Sequence, residues 1–327
     1  MSNLHASELP DDDPGDVVDI SVAIPCLNEA ENAAAIAEAV GRELTAAGVT
    51  YEMIFIDNGS TDGTVDIIKG LCALDPRIRL IVNNRNYGQM RSPTHAIYQG
   101  VGRAVIGISA DFQDPPELLG EIIARWRAGA KIVLGVKRSE DALAPIRWGR
   151  RLGYAFLNRY GDYPVVPGAT GFGLYDREVV DCLAAWREPE PFFRGMLVES
   201  GFALSTVPYH RPDRAGGQTK NNLGTIIAFG LSGLASSSKA LLRVPMMIAV
   251  WTMALAGLTA AGVIAAAVGG WMSWAYLLAV PVEVAFAILF LFLGLLGEQV
   301  RLISERTRNT PLVIEKERVN FPPARGG

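Results

Sequence analysis

Cysteine is scarce. The 327 residues hold three, Cys26, Cys72 and Cys182, odd in number and widely spaced. That excludes a disulfide framework and a paired-thiolate zinc site, leaving small reduced core residues as the simplest use. A basic excess is missing too: 30 Lys and Arg stand against 34 Asp and Glu, a net charge of -4. No overall positive field draws the chain to a polyanion, so no nucleic-acid partner is expected. The amino terminus does not read as a secretory leader, because Glu8, Asp11, Asp12, Asp13, Asp16 and Asp19 make it acidic and Pro10, Pro14 and Gly15 interrupt it. Residues 1–19 are expected to form a disordered acidic tail.

Charge is absent altogether between Arg243 and Glu283, in a chain that is 50% hydrophobic. Two apolar segments result, Pro245 to Val268 and Trp274 to Gly297, with Gly269 and Gly270 between them. Each is 24 residues long, about 36 Å of helix, enough to cross a bilayer core. Lys239 and Arg243 precede the first segment, Arg301, Arg306 and Arg308 follow the second, and the turn is uncharged, so both ends are expected on the cytoplasmic side. Glu283, beside Pro281, lies inside the second span, where an ionised carboxylate is costly; it is expected neutral, paired or at a helix interface. Ala254, Gly257, Ala261 and Ala265 allow close helix packing, which suits a homo-oligomer. Before the spans, Asn221 to Leu242 carries only Lys239 as charge and an apolar stripe of Ile226, Ile227, Phe229, Leu231 and Leu234, the pattern of a helix lying at the membrane interface.

From Ser21 onward short β-rich runs alternate with helical ones, the signature of helices packed on a mostly parallel sheet. Strands are expected at Ser21–Ile24, Glu52–Ile56, Ile78–Val82, Ala104–Ser109 and Ile132–Val136. Helices are expected at Glu29–Ala47, Thr64–Leu74, Pro93–Gly102 and Glu117–Ala128. In such sheets ligands bind beyond the carboxyl ends of strands, and three polar clusters fall there. Pro25, Asn28 and Glu29 follow the first strand. Asp57 to Thr64, DNGSTDGT, follows the second: Gly59, Ser60 and Asp62 read best as turn and cap residues, whereas Asp57 can accept hydrogen bonds from a base or ribose. Asp111, Gln113 and Asp114 end the fourth. Asp111 and Gln113 can present oxygens to a hard divalent ion, which typically takes one or two protein carboxylates plus substrate phosphates, while Asp114 is placed to cap the following helix. His95 and His210 have no ligand-like spacing and read as surface or loop residues, and Asp176 and Glu199 as caps or ion-pair partners.

The segments PCLNEAEN, IDNGSTDGT, NRNYGQ and SADFQDPPE, in that order, resemble inverting family 2 glycosyltransferases with a nucleotide-sugar-binding GT-A fold. TGFGLYDREVV, FFRGMLVESGF and RAGGQTKNN, followed by two spans, are similar to the polyprenyl-phosphate branch, which includes dolichol-phosphate mannose synthases and bactoprenol glucosyltransferases. The resemblance implies an α/β GT-A domain with a mostly parallel sheet over 20–220, an interfacial helix over 221–243, a two-helix transmembrane hairpin over 244–298 and a cytoplasmic tail over 299–327. It implies that Pro25, Asn28, Glu29 and Asp57 hold the nucleotide, and that Asp111 and Gln113 bind a Mg2+ or Mn2+ bridging its phosphates. Arg214 and Lys220 match the basic loop that meets the acceptor, and Arg138, Arg150 and Arg151 fall near the acceptor phosphate. The implied partners are a UDP- or GDP-linked sugar, polyprenyl phosphate and the membrane, the implied place the cytoplasmic face of a bacterial inner membrane.

Two departures stand out. Ser109 occupies the position of the first acid of the usual Asp-Ala-Asp, and Gly171 and Gly173 flank the Phe where many relatives carry an acid and an arginine. The chemistry tolerates the first. A unit charge at 4 Å and effective dielectric 20 feels about 4 kcal/mol, so a divalent ion against a leaving diphosphate supplies roughly twice that. A lipid phosphate with second pKa about 6 is mostly dianionic at neutral pH and needs no base, whereas a hydroxyl acceptor would. Transfer to a hydroxyl of a lipid-linked glycan or glycolipid, and a noncatalytic membrane scaffold, are the alternatives.

Overall fold

The computed structural model describes residues 17–137, 166–210, 275–308 and 310–321, with isolated positions between 251 and 269. The strands are β1 (Ile20–Cys26), β2 (Tyr51–Asp57), β3 (Ile78–Asn83), β4 (Ala104–Gly107), β5 (Ile132–Lys137), β6 (Ala169–Asp176), β7 (Leu204–Tyr209) and β8 (Glu315–Val319). The helices are α1 (Ala33–Ala46), α2 (Thr64–Leu74), α3 (Gly88–Gln99), α4 (Leu119–Arg127), α5 (Arg177–Ala185), α6 (Phe193–Glu199) and α7 (Ala275–Arg308). The strands form one mixed sheet in the order β7-β5-β6-β4-β1-β2-β3-β8, with β6 and β8 antiparallel to their neighbours.

The central strands are buried on both sides, as parallel strands sandwiched between helices must be. Alternate residues of β1 and β2 feed two cores. Val22, Ile24 and Phe55 pack with Ile36, Val40 and Leu44 of α1, Ile68 of α2 and Ile122 of α4. Ala23, Ile54 and Ile56 pack with Ile97 of α3, Val179 of α5 and Leu197 of α6. At the amino edge Glu52, 2% exposed, meets the Ser21 hydroxyl, the Val101 amide and Arg79, which neutralises its buried charge. From β1 the chain steps outward through β2 to β3, then recrosses to place β4 on the other side of β1. The carboxyl ends of β1 and β4 therefore border the crevice of a topological switch point.

Several expectations need correction. Helix α1 starts at Ala33 instead of Glu29, because the Glu29 carbonyl accepts the amides of Asn32 and Ala33 in a preceding turn. Helix α3 starts at Gly88, whose amide is met by Asn86 Oδ1 at 2.7 Å, so Pro93 lies inside it. Asp114 caps nothing: the short 3-10 turn Pro116–Leu118 follows Pro115 with no side-chain cap. His95 is a part-buried residue of α3, with Nε2 2.6 Å from Glu315 Oε1. Asp176 does cap, accepting the Glu178 amide at 3.1 Å while pairing with Lys131.

The segment read as a tail, 299–327, supplies the last turns of α7 and an edge strand. In β8, Glu315 pairs with Asn83 and Val319 with Leu80. Lys69 bonds Glu317, and the Asn320 amide reaches the carbonyls of Cys72 and Ile78. Helix α7 runs 34 residues through Pro281, about 51 Å. It exposes Val282, Val284, Phe286, Leu289, Phe292, Leu293, Leu296, Val300 and Ile303. Among the described residues no helix is both long and apolar enough to cross a membrane; most of 245–268 and many side chains of α7, Glu283 included, lie outside them. The tail 1–16, the segment 221–243, and Arg138, Arg150, Arg151, Arg214 and Lys220 also lie outside the described residues.

Candidate active site

The three polar clusters line the carboxyl edge of the sheet, and two of them are laced together. The β1–β2 register sets Cys26 beside Asp57 and Pro25 beside Ile56. Beyond it Asn28, in the left-handed region at φ 57°, gives its amide to Ser60 Oγ at 2.8 Å and accepts the Thr61 amide on Oδ1 at 2.8 Å. The Glu29 amide meets Thr64 Oγ1 at 2.9 Å, and its carboxylate accepts from Asn32 Nδ2 at 2.8 Å. Asp62 does not cap α2, whose N-cap is Gly63 with no side-chain cap; it accepts the Thr64 amide at 3.1 Å in a turn one residue earlier. Gly59 has φ 84° and a Cβ there would stand 3.0 Å from the Asn86 amide nitrogen, so only glycine lets these loops close up.

Asp57 is 1% exposed. Its Oδ2 accepts the amides of Gly59 and Ser60, both at 3.1 Å, while Oδ1 is buried without a partner among the described residues. Buried acceptors are nearly always satisfied, and an orphan at a strand's carboxyl end fits a donor that arrives with a ligand. Ser109 Oγ, at the end of β4, is a second such orphan.

Asp111 is buried at 5% exposure, and its Oδ1 accepts the Gln113 amide at 3.2 Å across Phe112, itself left-handed at φ 58°. One turn thus carries both oxygen-bearing side chains. Among the described residues no group of three or more His, Cys, Asp or Glu could hold a metal unaided, so a cation at Asp111 and Gln113 needs ligand oxygens to complete its shell. Burial first, then the charges of Glu29, Asp57 and Asp62, push the Cys26 thiol well above its ordinary range.

The sequence reading did not single out Asn58, yet it organises the neighbouring loop. Its Nδ2 donates to Asn86 Oδ1 and the Gly88 carbonyl at 3.0 and 3.1 Å, and its Oδ1 accepts the Tyr87 amide at 2.8 Å and Asn83 Nδ2 at 3.2 Å. The signal lay in the two asparagine-rich motifs, IDNGS and NRNYG, which cross-link here. The structure brings together Pro25, Asn28, Glu29 and Asp57, and sets Asp111 and Gln113 after β4, beside β1. Gly173 has a packing reason: a Cβ there would lie 2.3 Å from the Val133 carbonyl oxygen, within a strand paired on both sides.

Residues 21–184 match the model of Glycosyl transferase family 2. The chain is 28% identical to the uncharacterized glycosyltransferase YkcC of Bacillus subtilis, over 81% of this chain and 83% of that protein. It is 31% identical to the prophage bactoprenol glucosyl transferase homolog of Escherichia coli, over 77% of this chain and 80% of the relative. Among solved structures, glucosyl-3-phosphoglycerate synthase of Mycobacterium tuberculosis, in complex with Mn2+, UDP-glucose and phosphoglyceric acid, is 18% identical over 69% of this chain and 79% of that one. Its TM-score is 0.49, a level at which nothing about ligands follows. With a matched region covering about half the chain and a relative at 31% identity across 77% of it, the protein belongs to glycosyl transferase family 2 and is a glycosyltransferase built on an α/β GT-A fold.

Proposed function

We propose that this glycosyltransferase moves one sugar from a nucleotide donor to the phosphate of a polyprenyl carrier, inverting the anomeric carbon, while held at the cytoplasmic face of a membrane by spans 245–268 and 274–297. The observation that carries this reading is where the long helix rejoins the sheet. Strand β8 is antiparallel to β3 and begins opposite Asn83, so α7 arrives at the carboxyl edge, where Asn28, Asp57 and Asp111 also sit. Six residues, 309–314, separate Arg308 from Glu315, a reach of at most about 20 Å. A bilayer around the exposed apolar side chains of α7 would lie against that edge, within reach of a lipid headgroup. The relative named for bactoprenol glucosyl transfer supports the same acceptor class.

In this reading Asp57 Oδ1 accepts a hydrogen from the base, and Asn28 and Glu29, fixed by Ser60, Thr61 and Thr64, shape the floor beneath the nucleotide. Asp111 and Gln113 would hold Mg2+ or Mn2+ against the diphosphate. Such an ion supplies electrostatic stabilisation of the charge developing on the leaving group. Arg214 and Lys220 would bring up the carrier phosphate, which is already largely dianionic and needs no general base.

The test uses purified full-length protein in lipid nanodiscs, given radiolabelled UDP- and GDP-sugars with undecaprenyl phosphate. The expected product is lipid-linked, metal-dependent and released by mild acid, as a glycosyl phosphate is. An acid-stable product, or label appearing only on a hydroxyl-bearing glycan, would overturn the acceptor; no transfer to any lipid would overturn the reading whole.

A further inference from the structure

Beneath the turn that carries Asp111 lies a carboxylate for which the proposed transfer has no direct use. Asp114 is 5% exposed. Its Oδ2 accepts the Ser109 amide at 3.1 Å, and its Oδ1 accepts the Tyr209 hydroxyl at 2.9 Å. Tyr209, 4% exposed, is the last residue of β7. Its hydroxyl stands 3.1 Å from Thr170 Oγ1 of β6. A phenol has one hydrogen, here given to Asp114, so Thr170 is the donor in that second contact. The Tyr209 ring packs edge-on against Phe172, 5.6 Å between centroids, which fixes the ring independently of its hydroxyl.

This carboxylate therefore fastens the turn from Ser109 to Gln113 to the end of β7, and the Tyr209 hydroxyl extends the link to Thr170 of β6. The attachment to β7 gives the cluster its direction. Strand β7 runs parallel to β5, with Tyr209 opposite Lys137, so the chain leaves the sheet at the same carboxyl edge. Arg214 and Lys220 follow Tyr209 by five and eleven residues. The donor-side turn and the root of the acceptor-side segment thus share one buried hydrogen bond to an ionisable group, the stronger kind. Reacting groups must meet within a few tenths of an ångström for transfer, a tolerance that binding of either substrate alone does not require.

We propose that Asp114 and Tyr209 are positioning residues that set the metal-holding turn in register with the segment receiving the acceptor phosphate. The proposal rests on the polyprenyl-phosphate reading above. Neither side chain touches the reacting atoms; their effect passes through Ser109 on one side and the end of β7 on the other.

The variant Tyr209→Phe removes the hydroxyl and keeps the ring against Phe172. Three quantities are measured on full-length protein in nanodiscs, at a temperature where melting curves show it folded. They are transfer to undecaprenyl phosphate, slow hydrolysis of the donor without acceptor, and Mn2+ affinity in the presence of nucleotide by electron paramagnetic resonance. Transfer is expected to fall tenfold or more, with hydrolysis, donor KM and Mn2+ affinity unchanged within twofold. Asp114→Asn, which keeps the shape and loses the charge, is expected to show the same split. A parallel fall of hydrolysis and transfer would mean that the bond only supports the donor turn and would overturn the coupling, as would unaltered transfer in Tyr209→Phe. The unmodified protein separates the two levels: if it transfers nothing to the lipid, the acceptor reading fails and the coupling with it; if it transfers and Tyr209→Phe matches it, only the coupling fails.

Discussion

In the proposed mechanism Asp111 concentrates the chemistry of the site in one buried carboxylate, since Ser109, two residues earlier, brings a hydroxyl instead of a second charge. Replacing Asp111 by alanine is therefore expected to lower sugar transfer by about 10²–10³-fold, the usual loss when one electrostatic element is removed from a charged transition state. Calorimetry should also show loss of metal-dependent nucleotide binding, with the circular dichroism melt preserved. Transfer retained within threefold in such folded protein would remove Asp111 from the mechanism. Residue identity along the chain was enough to place Asp57, Asn28 and Asp111 at or just beyond strand ends, because they close or follow strands whose apolar runs are unambiguous. It did not predict the job of Asp114. Helix caps are read from local spacing, whereas Tyr209, 95 positions away, takes this carboxylate through tertiary packing.

At the scale of elements, β8 ties the end of α7 to the sheet, and its attachment to α3 is expected to weaken with acid. Burial pushes His95 below its ordinary value, against the opposing pull of Glu315, with Arg318 adding to the downward push. Burial also pushes the Glu315 carboxyl up, but hydrogen bonds from Arg318 and His95 outweigh it and hold it below the usual range. A group whose folded pKa is depressed contributes stability above its unfolded value and loses it as pH falls through the folded one. The histidine part is therefore complete above about pH 6.5 and declines below it; the glutamate part declines only below about pH 4.3. Thermal melting is expected at lower temperature at pH 5.5 than at pH 7.5, and the difference should shrink in His95→Asn. An undiminished difference in that variant would place the pH sensitivity elsewhere. The alternating run from β1 to β5 was readable because each strand is buried throughout its central residues. Strand β8, EKERV, was not: four of its five residues are charged and its burial alternates between partial burial and exposure. Its place depends on partners more than 200 positions away, Lys69, His95 and Gln99. Strands β6 and β7 escaped for a related reason, since glycine and proline in ATGFGLYD and LSTVPY weaken the β pattern that pairing with β4 and β5 supplies.

For the whole molecule, departure after β7 and return at β8 to one edge of one sheet mean that the intervening chain must end on the side where it began. If the chain between Tyr209 and Glu315 crosses a membrane as proposed, its crossings are even in number, as a hairpin requires. Fusing green fluorescent protein after Gly327 in a bacterial host should give fluorescence, and alkaline phosphatase there should be inactive. Phosphatase inserted at the Gly269 turn should be active. Phosphatase activity at the carboxyl terminus would rule out the hairpin topology. The brevity of the link from α7 to β8 has a kinetic consequence if the enzyme is held at a membrane as proposed. A catalytic unit leashed by six residues would then have little room to rotate away from the lipid surface, and its encounters with carrier would take place in two dimensions. Turnover should then follow the mole fraction of carrier within the bilayer, and diluting the vesicles at fixed lipid composition should leave it unchanged.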